Sequence, residues 1–288
     1  MKIATHNGHF HTDELMAVAA LLIKFPDAEV VRTRDEEIIK QSDIAVDVGQ
    51  ICDPVSMRFD HHQPGGAGKR ENGIPYASFG LVWKEYGAEL AGGKEEALVV
   101  DEKLVAGIDA ADNGVSVCNH KFEDLEEYSI GNFFESFAGR AKSMDELDRG
   151  FFESLLIACD LLAREIAIAR EQVADWRKVR EIYEQSPDKR VIILPGNLSW
   201  KRALIPTDAI YAIYFRTDGK WGLQVVPQAR GSYEAKRKLP QTWAGLVDAE
   251  LAKVTGVSDA IFCHSARFLA TTLSKEGAIK LAEIALKS

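Results

Sequence analysis

The first sixty residues alternate between short apolar runs and amphipathic stretches, and each change of period marks an element. Lys2–Thr5 predicts a short strand. Asp13–Lys24 carries apolar residues at helical spacing, opened by Thr12, Asp13 and Glu14 and closed before Pro26. Ala28–Thr33 predicts a strand, Asp35–Lys40 a short helix, Ile44–Val48 a buried strand and Met57–Asp60 another. Strands that alternate with helices imply a parallel sheet in an α/β domain. Helices then dominate, at about Tyr76–Gly87, at Glu95–Ile108 and from Ser143 to about Gln185. In the last of these, Phe151, Leu155, Ala158, Leu162, Ile166 and Ala169 form a near-helical apolar stripe. Ser143 and Glu146 supply a capping-box signature at its start. Beyond it, Val191–Leu194, Ala209–Phe215 and Gly222–Val226 predict strands, with a hairpin turn at Thr217–Lys220. A helix near Leu246–Thr255, a strand at Ala260–His264 and an amphipathic helix at Lys275–Lys287 follow. The organisation expected is a parallel-sheet α/β lobe (1–142), a helical connector (143–188) and a smaller mixed α/β lobe (189–288).

Composition narrows this picture only a little. The chain has 288 residues, of which 46% are hydrophobic and 27% charged, values that fit a globular protein with a sizeable core. No apolar run approaches the roughly 20 residues of a membrane span. The start lacks the apolar segment of a secretory signal. Cys52, Cys118, Cys159 and Cys263 are scattered without a CxxC pair, so neither a zinc knuckle nor a disulfide framework is indicated. A reducing, cytoplasmic compartment and no membrane partner are the expectations. The Gly-rich loop Gly65–Arg70 is not a phosphate-binding Walker loop, because Gln63 stands where Gly is needed and Arg70 where Ser or Thr is needed. A lid or a plain surface loop remains.

Charge changes the picture more. The net charge of −9 argues against a generalised nucleic-acid clamp. Residues 1–62 hold five of those nine negative charges and five of the seven histidines, His6, His9, His11, His61 and His62. Four clusters concentrate the candidate chemistry: His6 to Asp13 between a strand and a helix, Asp47 near the end of a buried strand, Asp60-His61-His62 after the next strand, and Asp109 with Asp112 before Asn113-Gly114. Ligands gather at the carboxyl ends of strands in open α/β sheets, so the first three clusters are candidates to converge. Carboxylate and imidazole without thiolate suit Mn²⁺, Mg²⁺, Zn²⁺ or Fe²⁺ rather than a structural zinc site. An Asp that bridges two cations is the arrangement of two-metal hydrolases. Plainer roles stand beside this reading, with Asp13 as a helix cap and His9 as a solvent-facing side chain. An unpaired carboxylate at Asp47 inside an apolar strand is costly, however, and that favours a ligand role.

These residues also resemble a known family. Asp60-His61-His62, the VDVG around Asp47 and the stretch Thr5–Glu14 are similar to motifs of the DHH phosphoesterase superfamily, and most similar to its MYG exonuclease family. VVRTRD (Val30–Asp35), IDAADNG (Ile108–Gly114), Ser232–Pro240 with Trp243, and FCHSARF (Phe262–Phe268) extend the resemblance over nearly the whole chain. The resemblance implies a two-lobed phosphoesterase that binds two divalent ions, usually Mn²⁺, with Mg²⁺, Co²⁺ or Zn²⁺ as alternatives. It implies His6, His11 and Asp13 as first-motif ligands, Asp47 as the bridge, and Asp60 and His61 as ligands. His62 would orient or polarise phosphate, with Asp47, His61 and His62 forming the catalytic group. Asp112 would be the fourth-motif carboxylate, with Asp109 competing. Histidines replace acids of the usual superfamily first motif, and His264 lacks the glycines that accompany the superfamily's substrate histidine.

In the second lobe, Arg230, Lys236, Arg237 and Lys238 stand against Glu234, giving Gln228–Trp243 a local charge of +3. Such a patch suits phosphate, although a solvated loop has the same composition. His264 and Arg267, just after a strand, are further candidates for substrate contact. The expected function is a metal-dependent phosphodiester hydrolase, a 3′–5′ exonuclease on RNA or short oligonucleotides. A pyrophosphatase or nucleotide phosphatase is the second reading, and a non-catalytic metal-binding protein the third. The oligomeric state, homodimer included, stays open.

Overall fold

The computed structural model describes residues 1–288 except His120, Glu123 and Glu126. It is mixed α/β and divides into two compact units, Met1–Arg170 and Glu171–Ser288.

The first unit opens with β1 (Lys2–Thr5), α1 (Thr12–Lys24), β2 (Glu29–Arg32), α2 (Glu36–Gln41) and β3 (Ile44–Val46). β4 (Cys52–Asp53) and β5 (Arg58–Phe59) complete a five-stranded sheet of order β2-β1-β3-β5-β4. It is parallel throughout except for the β4–β5 pair. Ile39 of α2 packs with Ala4, Ala45 and Val48 on one face. α1 packs on the same sheet through β1 and β3, and the period of two turns Ile3, Thr5, Ile44 and Val46 away from α2. All four of these side chains are fully buried. The chain thus steps from β1 to β2 on one side and then crosses back over β1 to β3 on the other, so a topological switch point lies between β1 and β3, where α/β sheets bind ligands.

Further helices pack on α1 and on one another: α3 (Ser78–Ala91), which also touches β5, α4 (Lys94–Val100), α5 (Ala106–Asp112) and α6 (Ile130–Ala138). The single helix expected over Glu95–Ile108 is broken by a π-helical turn, Asp101–Val105, where the Ala106 amide reaches the Asp101 carbonyl. An extra residue per turn, as here, is frequent beside functional sites. Neither α6 nor β4 is legible in the sequence. α6 has nine residues with Gly131 at its start, and its Ser129–Asn132 capping pair lacks the Glu or Gln of the usual signature. β4 has only two residues.

α7 (Met144–Gln185) runs from the first unit into the second. Phe151, Leu155, Ala158, Leu162, Ile166 and Ala169 are all buried, as their spacing predicts. Ser143 Oγ accepts from the Glu146 amide, but Glu146 reaches back to the amide of Lys142 rather than to that of Ser143.

The second unit continues with β6 (Val191–Ile193), α8 (Lys201–Leu204), β7 (Tyr211–Phe215), β8 (Trp221–Val225), α9 (Asp248–Thr255), β9 (Ala260–Cys263), β10 (Leu269–Thr272) and α10 (Lys275–Lys287). The sheet order is β6-β7-β8-β10-β9, with only β6–β7 parallel. Tyr211, Ile213, Leu223, Trp243 and Leu281 lie in its core, and each such buried side chain contributes about 1.5–3 kcal/mol. β10 goes unread in the sequence because its Thr-rich run lacks apolar contrast. Among the described residues, no helix is long and apolar enough to cross a membrane.

Candidate metal centre

Strand register dictates the convergence. Thr5 pairs with Val46, and Val46 with Phe59, across three adjacent parallel strands. The next residue on each strand is therefore at one level of the sheet edge, and those residues are His6, Asp47 and Asp60. Asp47 adopts a left-handed backbone conformation (φ 55°), as do Gly49 (φ 96°) and Gln50 (φ 56°). A non-glycine residue held there costs of order 1–3 kcal/mol and is a recurrent mark of functional sites.

Three groups of side chains present nitrogen and oxygen atoms within 4.8 Å of one another: His6, His11, Glu14 and Asp47; Asp47, His61 and His62; and Asp13, His61 and Asp112. Asp47 links the first group to the second, and His61 links the second to the third. In the first group, His6 Nε2 lies 2.9 Å from Glu14 Oε1 and 3.4 Å from Asp47 Oδ2. His6 Nδ1 lies 3.2 Å from the Asn7 carbonyl. A neutral ring that donates from Nδ1 turns the Nε2 lone pair toward the carboxylates, the orientation typical of metal-ligating histidines. Glu14 Oε1 also accepts from the His11 amide at 2.8 Å.

In the other groups, His61 Nε2 lies 3.1 Å from Asp112 Oδ2 and 3.4 Å from Asp47 Oδ1, yet it is buried without a hydrogen bond of proper angle. Asp13 is fully enclosed, its two oxygens accepting from the Ser78 and Phe79 amides, both at 2.8 Å, at the start of α3. It therefore bridges two helix N-termini rather than serving only as a cap for α1. Ser78 Oγ donates to Asp47 Oδ1 at 3.0 Å.

Charge is crowded here. Burial first, then the charges of Asp47, Asp112 and Asp109, push the Asp13 carboxyl well above the ordinary range. Burial would lower His6 and His61, but the carboxylates facing them outweigh it and raise each to about 10. Burial would likewise raise Asp47, but His6 and His61 hold it well below the usual carboxylate range. Protons on the histidines thus neutralise acids that a cation would neutralise instead. The buried Glu14 Oε2 has no hydrogen-bond partner, and His61 Nε2 faces Asp112 and Asp47 without a well-angled bond, so both are positions a cation would take. An all-oxygen-and-nitrogen donor set suits a hard or borderline divalent ion, so these residues fit a metal centre.

Other candidates stand apart. Asp60 is outside the three groups: its oxygens accept from the Gln50 amide at 2.6 Å and from His62, whose Nδ1 lies at 2.8 Å. Asp60 thereby ties down the loop and orients the exposed His62. Asp109 is also outside them, accepting from the Gly80 amide at 2.9 Å and from Arg70 Nη1 at 2.6 Å. Burial, partly offset by Arg70, raises its pKa to about 6. Arg70 also pairs with Asp101, so it anchors the Gly-rich loop to the helical layer. His9 is exposed. Glu14 and Ser78 went unread in the sequence as site residues; the available signal for Glu14 was a carboxylate directly before the unbroken apolar run Leu15–Ile23, and in the fold Asp13–Leu21 is buried throughout.

In the second unit, the Lys236 ammonium is committed to the carbonyls of Leu204 and Thr207. Arg237 donates to the Leu286 carbonyl at 3.0 Å and Arg267 to the Leu239 carbonyl at 3.2 Å. His264 Nδ1 accepts from the Ala266 amide at 3.0 Å, with its ring 4.3 Å from Phe268. Arg230 and Lys238 are exposed.

An α/β sheet with carboxylates and imidazoles gathered at its switch point forms a candidate divalent-metal centre. The model of the uncharacterised protein family UPF0160, the MYG1 exonuclease family, matches residues 2–286, and the chain belongs to that family. It is 32% identical over 326 residues to a MYG1 protein of Caenorhabditis elegans, covering 99% of this chain and 95% of that one. It is 32% identical over 329 residues to the mouse MYG1 exonuclease (99% and 84% covered) and 31% over 324 residues to the human MYG1 exonuclease (99% and 85%).

Proposed function

We propose that this chain is a metal-dependent phosphodiester hydrolase that removes nucleotides from RNA or short oligonucleotides in the 3′–5′ direction, using two Mn²⁺ ions. The observation that carries this reading is the linkage of the three ligand groups through Asp47 and His61. Relatives named exonucleases support it. Bound divalent ions would lower the pKa of water and offset negative charge on phosphate. His6, His11, Glu14 and Asp47 would hold one ion, and Asp47, His61, Asp13 and Asp112 the other. Ser78 fixes the Asp47 carboxylate. His62, exposed and oriented by Asp60, would donate to a phosphate oxygen or to the leaving alcohol. In the hydrolysis a water oxygen bonds to phosphorus, the P–O bond to the leaving alcohol breaks, and a proton passes to that alcohol. Arg230 and Lys238, exposed on the second unit, are cations of the kind that suit phosphate.

A small-phosphoester hydrolase is the second reading. It is favoured by the commitment of Lys236, Arg237 and Arg267 to backbone carbonyls, which weakens a long basic track. Incubation with Mn²⁺ and an end-labelled RNA ladder, beside pyrophosphate and a dinucleotide, separates the two. Asp47→Ala should abolish metal binding and hydrolysis together; retained activity would refute the assignment.

A further inference from the structure

Arg32 closes β2, where the strand register sets it beside Thr5, one residue before His6. Its side chain is only 1% exposed, so it is out of reach of a substrate. Nη2 donates to the Gly8 carbonyl at 2.6 Å, within the loop that joins β1 to α1. Nη1 donates to Asp148, near the start of α7. The guanidinium carbon lies 5.7 Å from the centre of the Phe10 ring and 4.6 Å from that of Phe151, and the two rings meet edge to face. Phe10 is buried and directly precedes His11, which is exposed. Where the His11 ring is presented therefore depends on how Gly8 and Phe10 are held. Other candidate ligands have anchors of their own: the Ser78 and Phe79 amides hold Asp13, and Ser78 Oγ holds Asp47.

We infer that Arg32 is a positioning residue of the candidate metal centre: it clamps the Gly8–Phe10 loop between β2 and α7 and thereby sets His11 toward its ion. Asp148, which holds the other arm of the guanidinium, belongs to the same clamp. This rests on the metal-centre reading and deepens it by making one group of ligands depend on a residue that touches none of the ions. Charge and position act in opposite directions here. Burial depresses the Arg32 pKa, and the charges of Asp148 and Glu14 oppose that shift. A fixed cation within reach of Glu14 opposes the uptake of another cation, so loss of the Arg32 charge alone would tighten metal binding. Release of the loop would weaken it. Lysine keeps the charge but lacks the rigid fork that reaches Asp148 and Gly8 together and the plane that stacks on the two rings.

The test uses the full chain. In isothermal titration with Mn²⁺, His11→Ala identifies the binding step that belongs to His6, His11, Glu14 and Asp47. Arg32→Gln should weaken that step by about tenfold, the lower end of what outer-shell supports contribute, and leave the other within about twofold. Arg32→Lys should weaken the same step. NMR of histidine-labelled protein in EDTA supplies a metal-free reading: the His11 ring signal should move in Arg32→Gln while that of His61 stays. Asp148→Asn, at a carboxylate that is 39% exposed, should move the His11 signal too and covers the case in which Arg32→Gln fails to fold. Unchanged or tighter Mn²⁺ binding in Arg32→Gln, equal weakening of both steps, wild-type binding in Arg32→Lys, no step lost in His11→Ala, or an unmoved His11 signal overturns the assignment. A wild type that takes up no Mn²⁺, Mg²⁺, Co²⁺ or Zn²⁺ overturns the metal-centre reading instead, and the His11 signal still decides whether Arg32 holds the loop.

Discussion

Two aspartates three residues apart on α5 should fail in opposite ways when each is made neutral. Asp109 is fully buried, with one oxygen accepting from the Gly80 amide and the other from Arg70. Asparagine offers one acceptor and one amino group, so in either orientation a donor faces a donor. At pH 8, above its pKa of about 6, Asp109 is the anionic half of a buried pair. Breaking such a pair on one side costs about 3–5 kcal/mol. That is a large part of a typical total stability of about 5–15 kcal/mol. In a unit of this size each kcal/mol moves the midpoint by about 2–4 °C, so Asp109→Asn should melt about 6–20 °C lower. Asp112 is instead partly exposed and faces His61 and the crowded Asp13. Asp112→Asn removes a repulsion on Asp13 together with an attraction to His61, so the two effects oppose each other and the metal-free melting temperature should fall by less than that of Asp109→Asn. Its Mn²⁺ affinity should fall by more than the about 10–100-fold that loss of an outer-shell partner costs. Calorimetric melting in EDTA and isothermal titration with Mn²⁺ read the two effects independently. If Asp109→Asn lost affinity without stability, or Asp112→Asn lost stability without affinity, the division of roles between them would be wrong.

Three further outcomes are expected. Gly80→Ala would place a Cβ 1.8 Å from Asp109 Oδ2, forcing the carboxylate off Arg70, so urea denaturation should show a loss of about 3 kcal/mol or more; a loss under about 1 kcal/mol would show that the pair moves freely. Ser78→Ala deletes the hydroxyl that fixes Asp47 and should weaken Mn²⁺ binding by about 10–100-fold, measurable by titration, while Ser78→Thr retains the donor. His6 and His61, raised to about 10, give the metal-free protein a stability increment fully present below their ordinary 6.5 and lost as pH rises through 10. Melting in EDTA should therefore fall between pH 7 and 10 while Mn²⁺ affinity climbs and binding releases protons; a flat melting profile would count against these pairings.

Much of the fold was written in local pattern. The spacing from Lys2 to Asp60 gave the β1-to-β5 alternation, and the stripe from Phe151 to Ala169 gave α7, because burial on one face imposes a period that one sequence reveals. β4, β10, α6 and α8 escaped because two to nine residues with weak apolar contrast carry too little periodic signal. His6, Asp47 and His61 stood out as polar residues after apolar strands. Glu14 did not, because a carboxylate at a helix start has an ordinary explanation as a partner for the macrodipole.

The sequence by itself determined which residue types end each strand, and parallel pairing then obliged those ends to meet at one edge. Tertiary structure alone decided the division of labour among them. Arg70, thirty-nine residues before Asp109, takes that carboxylate out of contention and leaves Asp112 to face His61. Asp60 turns to the Gln50 amide and to His62, while Glu14 turns inward to His6. Lys236, basic in composition, spends its charge on two carbonyls. The physical reason is common to all of them: a buried charge must be satisfied by whatever partner the fold brings within about 3 Å, and that partner is set by long-range packing rather than by neighbours in the chain.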